Sequence, residues 1–244
     1  MDTLKSVGAL RTMAAPSHAE GRMSAHDKHR SPYSELKGLL MRHCFVPGEQ
    51  LQIAALAKRL NTSTTPVREA LNRLHAEGFL VLHPHRGFFA KALSVREMTE
   101  LYELGYLLLK SAIAKSADNR AVVGTSALDS LVADLTQIAV NGESDRHVCA
   151  TQLEQVLQKF VSSAKNNVMH SAFRNFHERT HYVRVLYLQE PNRLRQYIDD
   201  LVALAAAMKR RDMAAAVAVL DECWKCKIQV LPDLVKEAMS RHYI

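Results

Sequence analysis

Only two runs in this chain of 244 residues read as strands, Phe79-Leu80-Val81-Leu82 and Gly87-Phe88-Phe89-Ala90, and His83-Pro84-His85-Arg86 alone separates them. A single hairpin of that size is marginal in water and cannot supply a core. The core must come from helices, and apolar residues elsewhere do recur three and four apart. The expected fold class is mostly α: short helices with the hairpin at the N-terminal end, then an all-α helical bundle.

The N-terminal group reads as three helices. Leu36, Leu39 and Leu40 mark the first over Pro32 to Phe45, stopped by Val46-Pro47-Gly48. Ile53, Leu56, Ala57 and Leu60 mark the second over Gln52 to Leu60. Asn61-Thr62-Ser63-Thr64-Thr65 is a turn whose hydroxyls can cap a third helix, and Pro66 falls in its first turn, where a missing N–H goes unnoticed. Val67, Ala70, Leu71 and Leu74 are its buried stripe, and Gly78 ends it. Three short helices and a basic-tipped hairpin make a winged helix-turn-helix, assigned to residues 31–92.

From Ser94 onward no strand pattern recurs. Ser94 with Glu97 three residues on is a capping box, opening a helix to about Asp118. Further helical patterns lie near 126–140, 150–164, 168–189, 193–210 and 212–238, with breaks at Asn141-Gly142, Asn166-Asn167, Glu190-Pro191 and Asp212. Residues 93–244 therefore form an all-helical domain of six or seven helices. Residues 1–30 mix His, Ser, Arg, Ala and Lys with no apolar stretch, and read as a disordered tail in which Met13 and Met23 are alternative starts.

Charge divides the chain at the same place. Residues 1–93 hold 13 Lys and Arg against 7 Asp and Glu, whereas residues 94–244 hold 19 against 18. A basic first third beside a nearly neutral remainder suits a nucleic-acid-binding module with a partner domain. A basic tail on a globular enzyme gives the same balance, so the third helix must decide. The four cysteines, Cys44, Cys149, Cys223 and Cys226, are too sparse for a disulfide framework and point to the reducing cytoplasm. No apolar run approaches bilayer length, so no membrane partner is expected.

With Val67, Leu71 and Leu74 packed inward, the opposite face of the third helix carries Arg68, Asn72, Arg73 and His75. Arg68 and Asn72 are four apart and point the same way. Arginine can bind guanine O6 and N7 bidentately, and asparagine can do the same for adenine N6 and N7. The hydroxyls of Thr62, Ser63, Thr64 and Thr65, with the N–H groups of the helix start, suit phosphate oxygens. His83, His85, Arg86 and Gly87 at the hairpin tip can reach an adjacent groove or the backbone. Double-stranded DNA is the expected partner.

The run Val46-Pro47-Gly48-Glu49-Gln50-Leu51, then Leu56-Ala57, Thr65-Pro66-Val67-Arg68-Glu69-Ala70-Leu71, Arg73-Leu74 and Glu77-Gly78-Phe79, with Arg86-Gly87-Phe88 at the wing tip, resembles the signature of GntR-family regulators. The family usually has two further arginines where this chain has Ala54 and Thr64, so its usual half-site preference does not carry over, and Gln52, Asn72 and Arg73 are the candidates for the missing contacts. The helical part is similar to the FCD-type domain of the FadR branch, through Glu100-Leu101-Tyr102-Glu103-Leu104, the Asn166-Asn167 break and Arg211-Asp212-Met213-Ala214-Ala215-Ala216. The resemblance implies a homodimeric, ligand-responsive repressor that reads an inverted-repeat operator. It also implies a small carboxylate-type effector, in the family often beside a metal ion. Here the resemblance puts Glu154, Gln158, Leu201 and Cys223 at the metal positions, and Gly105 and Leu109 where the family has an arginine and a glutamate. Leucine cannot ligate, so no metal and no other cofactor is expected. A less charged pocket points to an apolar effector, an aromatic or a fatty acid.

Two motifs invite other readings. His177-Glu178-Arg179-Thr180-His181 fits H-E-x-x-H, which would make a metal-dependent hydrolase with Glu178 as base. No convincing third ligand follows at peptidase-like spacing; Glu190 and His242 are merely available. The alternative for these histidines is effector binding, with Arg174, His177, His181 and Arg184 as the candidate residues and Tyr182 beside them. Cys223-Trp224-Lys225-Cys226 fits C-x-x-C but falls within a helix, not at the N-terminus that lowers a thiol pKa. The expectation is a DNA-binding regulator and not an enzyme; a DNA-bound architectural protein without a ligand is the third reading.

Overall fold

The structure is a computed structural model that describes residues 31–118, 125–141, 145–162 and 164–241. The expected tail, residues 1–30, lies outside the described residues, as does Gly142 of the break after α5.

Helices α1 (Pro32–Met41), α2 (Ile53–Arg59) and α3 (Thr64–Ala76) are followed by strands β1 (Leu80–His83) and β2 (Gly87–Ala90). The strands pair antiparallel with Leu80 opposite Ala90 and His83 opposite Gly87. These elements enclose a core of their own, built on Leu36, Leu56, Val67, Leu71, Leu74 and Phe88. Burying aliphatic side chains of this kind contributes about 1.5–3 kcal/mol each. That is what holds three helices of 7 to 13 residues, too short to persist alone.

Helix α1 ends at Met41, not at Phe45 as the sequence predicts. The chain turns at His43, which takes the left-handed φ of 57°, and Phe45 enters the core beyond the helix. The stop therefore comes before Val46-Pro47-Gly48, and Gly48 (φ 79°) serves the turn that follows.

The second part comprises α4 (Val95–Asp118), α5 (Thr125–Asn141), α6 (Arg146–Ser162), α7 (Asn167–Gln189), α8 (Pro191–Lys209) and α9 (Met213–Ser240). Its core is continuous, with α7 packed on α4, α6, α8 and α9. The predicted breaks are caps: Asn166 accepts from the N–H of Met169 at 3.0 Å, and Asp212 from that of Ala215 at 2.9 Å. Helix α6 starts four residues early because Asp145 accepts from the N–H of His147 at 2.8 Å. The capping box at Ser94 is only half formed. Ser94 Oγ accepts from the N–H of Glu97 at 3.2 Å, but the Glu97 carboxylate turns to Lys91 and Arg179 instead. No helix of the described residues is long and apolar enough to cross a membrane.

Candidate nucleic-acid interface and buried cavity

Helix α3 is amphipathic in a strict sense. Val67, Ala70, Leu71 and Leu74 are buried, while Arg68 and Asn72 are exposed and bond to nothing among the described residues. Ser63 is the N-cap, yet its side chain makes no capping bond, contrary to the sequence expectation for this turn. Ser63, Thr64 and Thr65 lie exposed there beside first-turn N–H groups that have no helical partner. That end of α3 carries donors and a partial positive charge, which suits an anion.

Arg73 is placed differently. Its guanidinium carbon lies 3.7 Å from the Tyr33 ring centroid, and its Nε donates to Glu77 at 3.1 Å. His75 is likewise engaged, its Nδ1 3.0 Å from the carbonyl of Leu80. Arg68 and Asn72 thus form the free pair, and Arg73 ties α3 to α1. At the wing, His85 and Gly87 both take positive φ (60° and 87°), closing the tip. Gln50 Nε2 donates to the carbonyl of Arg86 and pins that tip to the body. The Arg86 guanidinium lies 5.3 Å from the Phe89 ring centroid. Ala54 is exposed on α2, as a contact position would be, but brings no donor.

Glu77 at the end of α3 is a hub that sequence reading misses. It accepts from Tyr33 Oη at 2.8 Å and Lys37 Nζ at 2.9 Å, and Lys37 reaches on to Glu178 of α7 at 2.7 Å. Burial opposes the Lys37 charge, but the bonds to Glu178, Tyr33 and Glu77 outweigh it and raise its pKa above the usual value. Asn175 Nδ2 donates to the carbonyl of Glu77 at 3.0 Å. Gly78, at φ 86°, lies under Arg179: a Cβ there would come within 2.9 Å of the guanidinium carbon. Arg179 pairs with Glu97 at the start of α4. One face of α7 therefore grips the base of α3.

The opposite face of α7 borders a cavity enclosed mainly by α4, α7, α8 and α9. Its walls are aromatic and aliphatic, including Tyr102, Phe173, Tyr197, Leu201 and Trp224. Gly105 of α4 also lines it, and a Cβ there would stand 2.4 Å from Phe176 Cε1, so the ring of Phe176 fills the space that a side chain at 105 would need.

Of the four predicted effector residues, His177 and Arg184 border this cavity, and His181 and Arg174 do not. Arg174 is exposed, one step around the helix. His181 is buried in a polar cluster on another side of α7, its Nδ1 3.0 Å from Glu154 Oε1 and its Nε2 3.2 Å from His147 Nδ1. Tyr182 packs instead against His43, with ring centroids 4.9 Å apart. His177 is 1% exposed, and among the described residues neither ring nitrogen has a hydrogen-bond partner. Desolvation first, then the charges of Arg184, Lys227 and His181, push its pKa well below the ordinary value, so the ring is neutral. Burial opposes the Arg184 charge too, but Glu154 beside it outweighs this and keeps the guanidinium protonated. Arg184 also donates to Thr180 Oγ1 at 2.7 Å.

The residues do not fit a metal. Glu154 is committed to Arg184 and His181, Leu201 offers no donor, and burial pushes the Cys223 thiol pKa up, away from the thiolate a metal needs. Among the described residues, no group of three or more His, Cys, Asp or Glu is arranged to hold an ion. Within the H-E-x-x-H run, Glu178 faces Lys37 while His177 and His181 serve different surroundings, which leaves that motif without a common centre. Cys223 is buried and Cys226 exposed, and both are free thiols. Lys227, one turn beyond Cys223, also lines the cavity. Sequence reading misses it because a lysine in the middle of an amphipathic helix looks like solvated surface.

Residues 30–90 match the family described as bacterial regulatory proteins, gntR family, and residues 100–225 match the FCD domain. The Nta operon transcriptional regulator of Aminobacter aminovorans is 28% identical over 81% of this chain and 93% of its own length. The transcriptional regulator McbR of Escherichia coli is 26% identical over 81% and 90%. Among solved structures, E. coli McbR/YncC aligns with a TM-score of 0.66 at 24% identity, covering 83% of this chain and 95% of that one. A GntR regulator structure from Rhodococcus sp. RHA1 aligns with a TM-score of 0.68 at 16% identity, covering 82% and 95%. These last two likenesses bear on the fold.

Proposed function

Since the chain belongs to the GntR family of transcriptional regulators and carries an FCD domain, we propose that it is a ligand-responsive repressor, binding an inverted-repeat operator as a homodimer. The observation that carries this reading is the exposed, unpaired couple Arg68 and Asn72 on a helix whose other face is wholly buried. Two donor side chains held at that spacing by a packed helix suit base edges in a major groove. The free hydroxyls of Ser63, Thr64 and Thr65, with His85, Arg86 and Gly87 at the wing, suit the flanking phosphates.

Leu104 and Leu107 are exposed apolar residues on α4, and a second copy of the chain covering them would pair two heads on one DNA face. The cavity in the helical domain is the effector site in this reading, and its aromatic walls favour an aromatic or fatty acid. Occupancy would reach the head through α7, whose two faces touch the cavity and the base of α3. The relatives named above are regulators and the H-E-x-x-H residues do not converge, so we assign no enzymatic activity.

Footprinting of the full-length protein on the DNA upstream of its own gene tests this. Two symmetric protected half-sites about 10 base pairs apart centre to centre, or a multiple of that, are expected. A single unsymmetrical footprint from a monomer would overturn the dimeric reading.

A further inference from the structure

The cavity holds one cation that nothing in the described protein neutralises. The Lys227 ammonium lies 3.4 Å from the Tyr197 ring centroid, and among the described residues its one hydrogen bond goes to Cys223 Sγ at 3.2 Å. A thiol is a weak acceptor and a ring face satisfies no N–H geometry, so three charged donors are left poorly used. Asp200 lines the same cavity, but it accepts from Gln196 Nε2 at 2.8 Å and makes no ion pair with Lys227. Arg184, the other cation on the wall, already has Glu154. Further polar atoms stand idle nearby: among the described residues Trp224 Nε1 is buried without a hydrogen-bond partner, and so are the one donor and one acceptor nitrogen of the neutral, almost wholly buried His177 ring. A half-buried ammonium whose one acceptor is a thiol is poorly satisfied, and a carboxylate offers it two oxygens.

We propose that Lys227 is the anion anchor of this cavity, taking the carboxylate of an organic acid whose apolar body lies among Tyr102, Tyr197 and Trp224, with no metal ion involved. The inference rests on the cavity being the effector site and adds what makes it selective. An uncharged analogue leaves the ammonium unpaired, so the cavity discriminates an acid from its amide through one residue. Leu201 and the neutral Cys223 thiol, on the same wall, leave the ammonium as the positive charge available to the ligand head group.

Trp224 is the sole tryptophan of the sequence and lines the cavity, so its fluorescence in the full-length protein reports occupancy. Benzoate, cinnamate and octanoate, each beside its amide, are titrated with and without EDTA. At least one acid should give a saturable change that EDTA leaves intact. Lys227→Met should weaken that acid by about 10–100-fold without weakening the amide, and Lys227→Arg should restore most of the loss. Should Lys227→Met not fold, Lys227→Gln, which keeps a donor without the charge, makes the same comparison.

The proposal is overturned if no acid perturbs Trp224, if EDTA abolishes binding, or if a folded Lys227→Met or Lys227→Gln protein binds acids as well as wild type. Operator binding is read in the same samples. An acid that binds at Trp224 but leaves operator affinity unchanged defeats the effector reading and leaves the anchor standing. Operator release by an amide or a metal ion, with no acid bound, defeats the anchor alone.

Discussion

Helices α3 and α7 use polar residues in opposite ways. On α3 the apolar stripe faces the core, and the chemistry of Arg68 and Asn72 faces water. On α7 the polar groups are inside: His177, Thr180, His181 and Arg184 are all buried. An exposed side chain is free to wait for a ligand, since water satisfies it meanwhile. A buried one must find a partner within the protein or remain a liability, and α7 shows both outcomes. Arg184 is fully engaged by Glu154 and Thr180, whereas His177 packs its ring on Phe173 and Phe176 and finds no hydrogen-bond partner among the described residues for either nitrogen. Function on α3 should therefore be separable from stability, and function on α7 should not.

The largest effect expected from that contrast is at Glu154. Its side chain and that of Arg184 are 7% and 4% exposed, so Glu154→Ala leaves a buried guanidinium without its carboxylate. The expected cost is about 3–5 kcal/mol. Replacing both residues by leucine and methionine should recover most of it, because the uncompensated charge goes with its partner. Urea unfolding followed by far-UV circular dichroism measures this. A cost below about 1 kcal/mol for Glu154→Ala would mean that water reaches the pair, and the contrast between the helices would weaken.

Arg68→Ala is the converse case. Operator affinity should fall by about 1–3 kcal/mol per contacted guanine, with preference relaxed at one symmetric position. Thermal stability should stay within about 0.5 kcal/mol of wild type, since the side chain is exposed and makes no hydrogen bond or ion pair among the described residues. A gel shift and a melting curve on the same protein decide it, and unchanged affinity would remove α3 from the DNA.

The same contrast explains what could be read from the sequence. Val67, Leu71 and Leu74 reveal α3 by their period, and everything off that stripe is by default outward, so Arg68 and Asn72 are legible. The helix breaks at Asn166, Glu190-Pro191 and Asp212 are legible too, because capping chemistry is local. Arg73 looks equivalent to Arg68 in sequence and is not, because Tyr33 and Glu77 approach it from elsewhere in the fold. On α7, periodicity cannot say whether a histidine or arginine is buried with a partner. His177 and His181, four apart, look like one site and lie in two. Lys227 is invisible for the same reason, since its meaning depends on Tyr197 and Cys223 approaching it in three dimensions.

The smallest effect tests whether the two regions communicate through α7. Lys37 of the head and Glu178 of α7 are 2.7 Å apart, with side chains 13% and 20% exposed, and Lys37 also binds Glu77 at the end of α3. The pair is only partly shielded, so Glu178→Gln should lower stability by about 1 kcal/mol or less. If the contact transmits occupancy, the mutation should instead shrink the ratio of operator affinities with and without effector, a ratio set by a coupling free energy of about 1–3 kcal/mol. Linkage requires the same shrinkage in the ratio of effector affinities with and without operator. Lys37→Met, which also removes the bond to Glu77, should do at least as much, and the double variant should do no more than Lys37→Met alone, because the contact with Glu178 can be lost only once. Isothermal titration in both directions measures all four quantities. Full coupling in the double variant would show that the signal leaves α7 by another contact with the head, such as Asn175 with the Glu77 carbonyl, Arg179 over Gly78 or Tyr182 with His43.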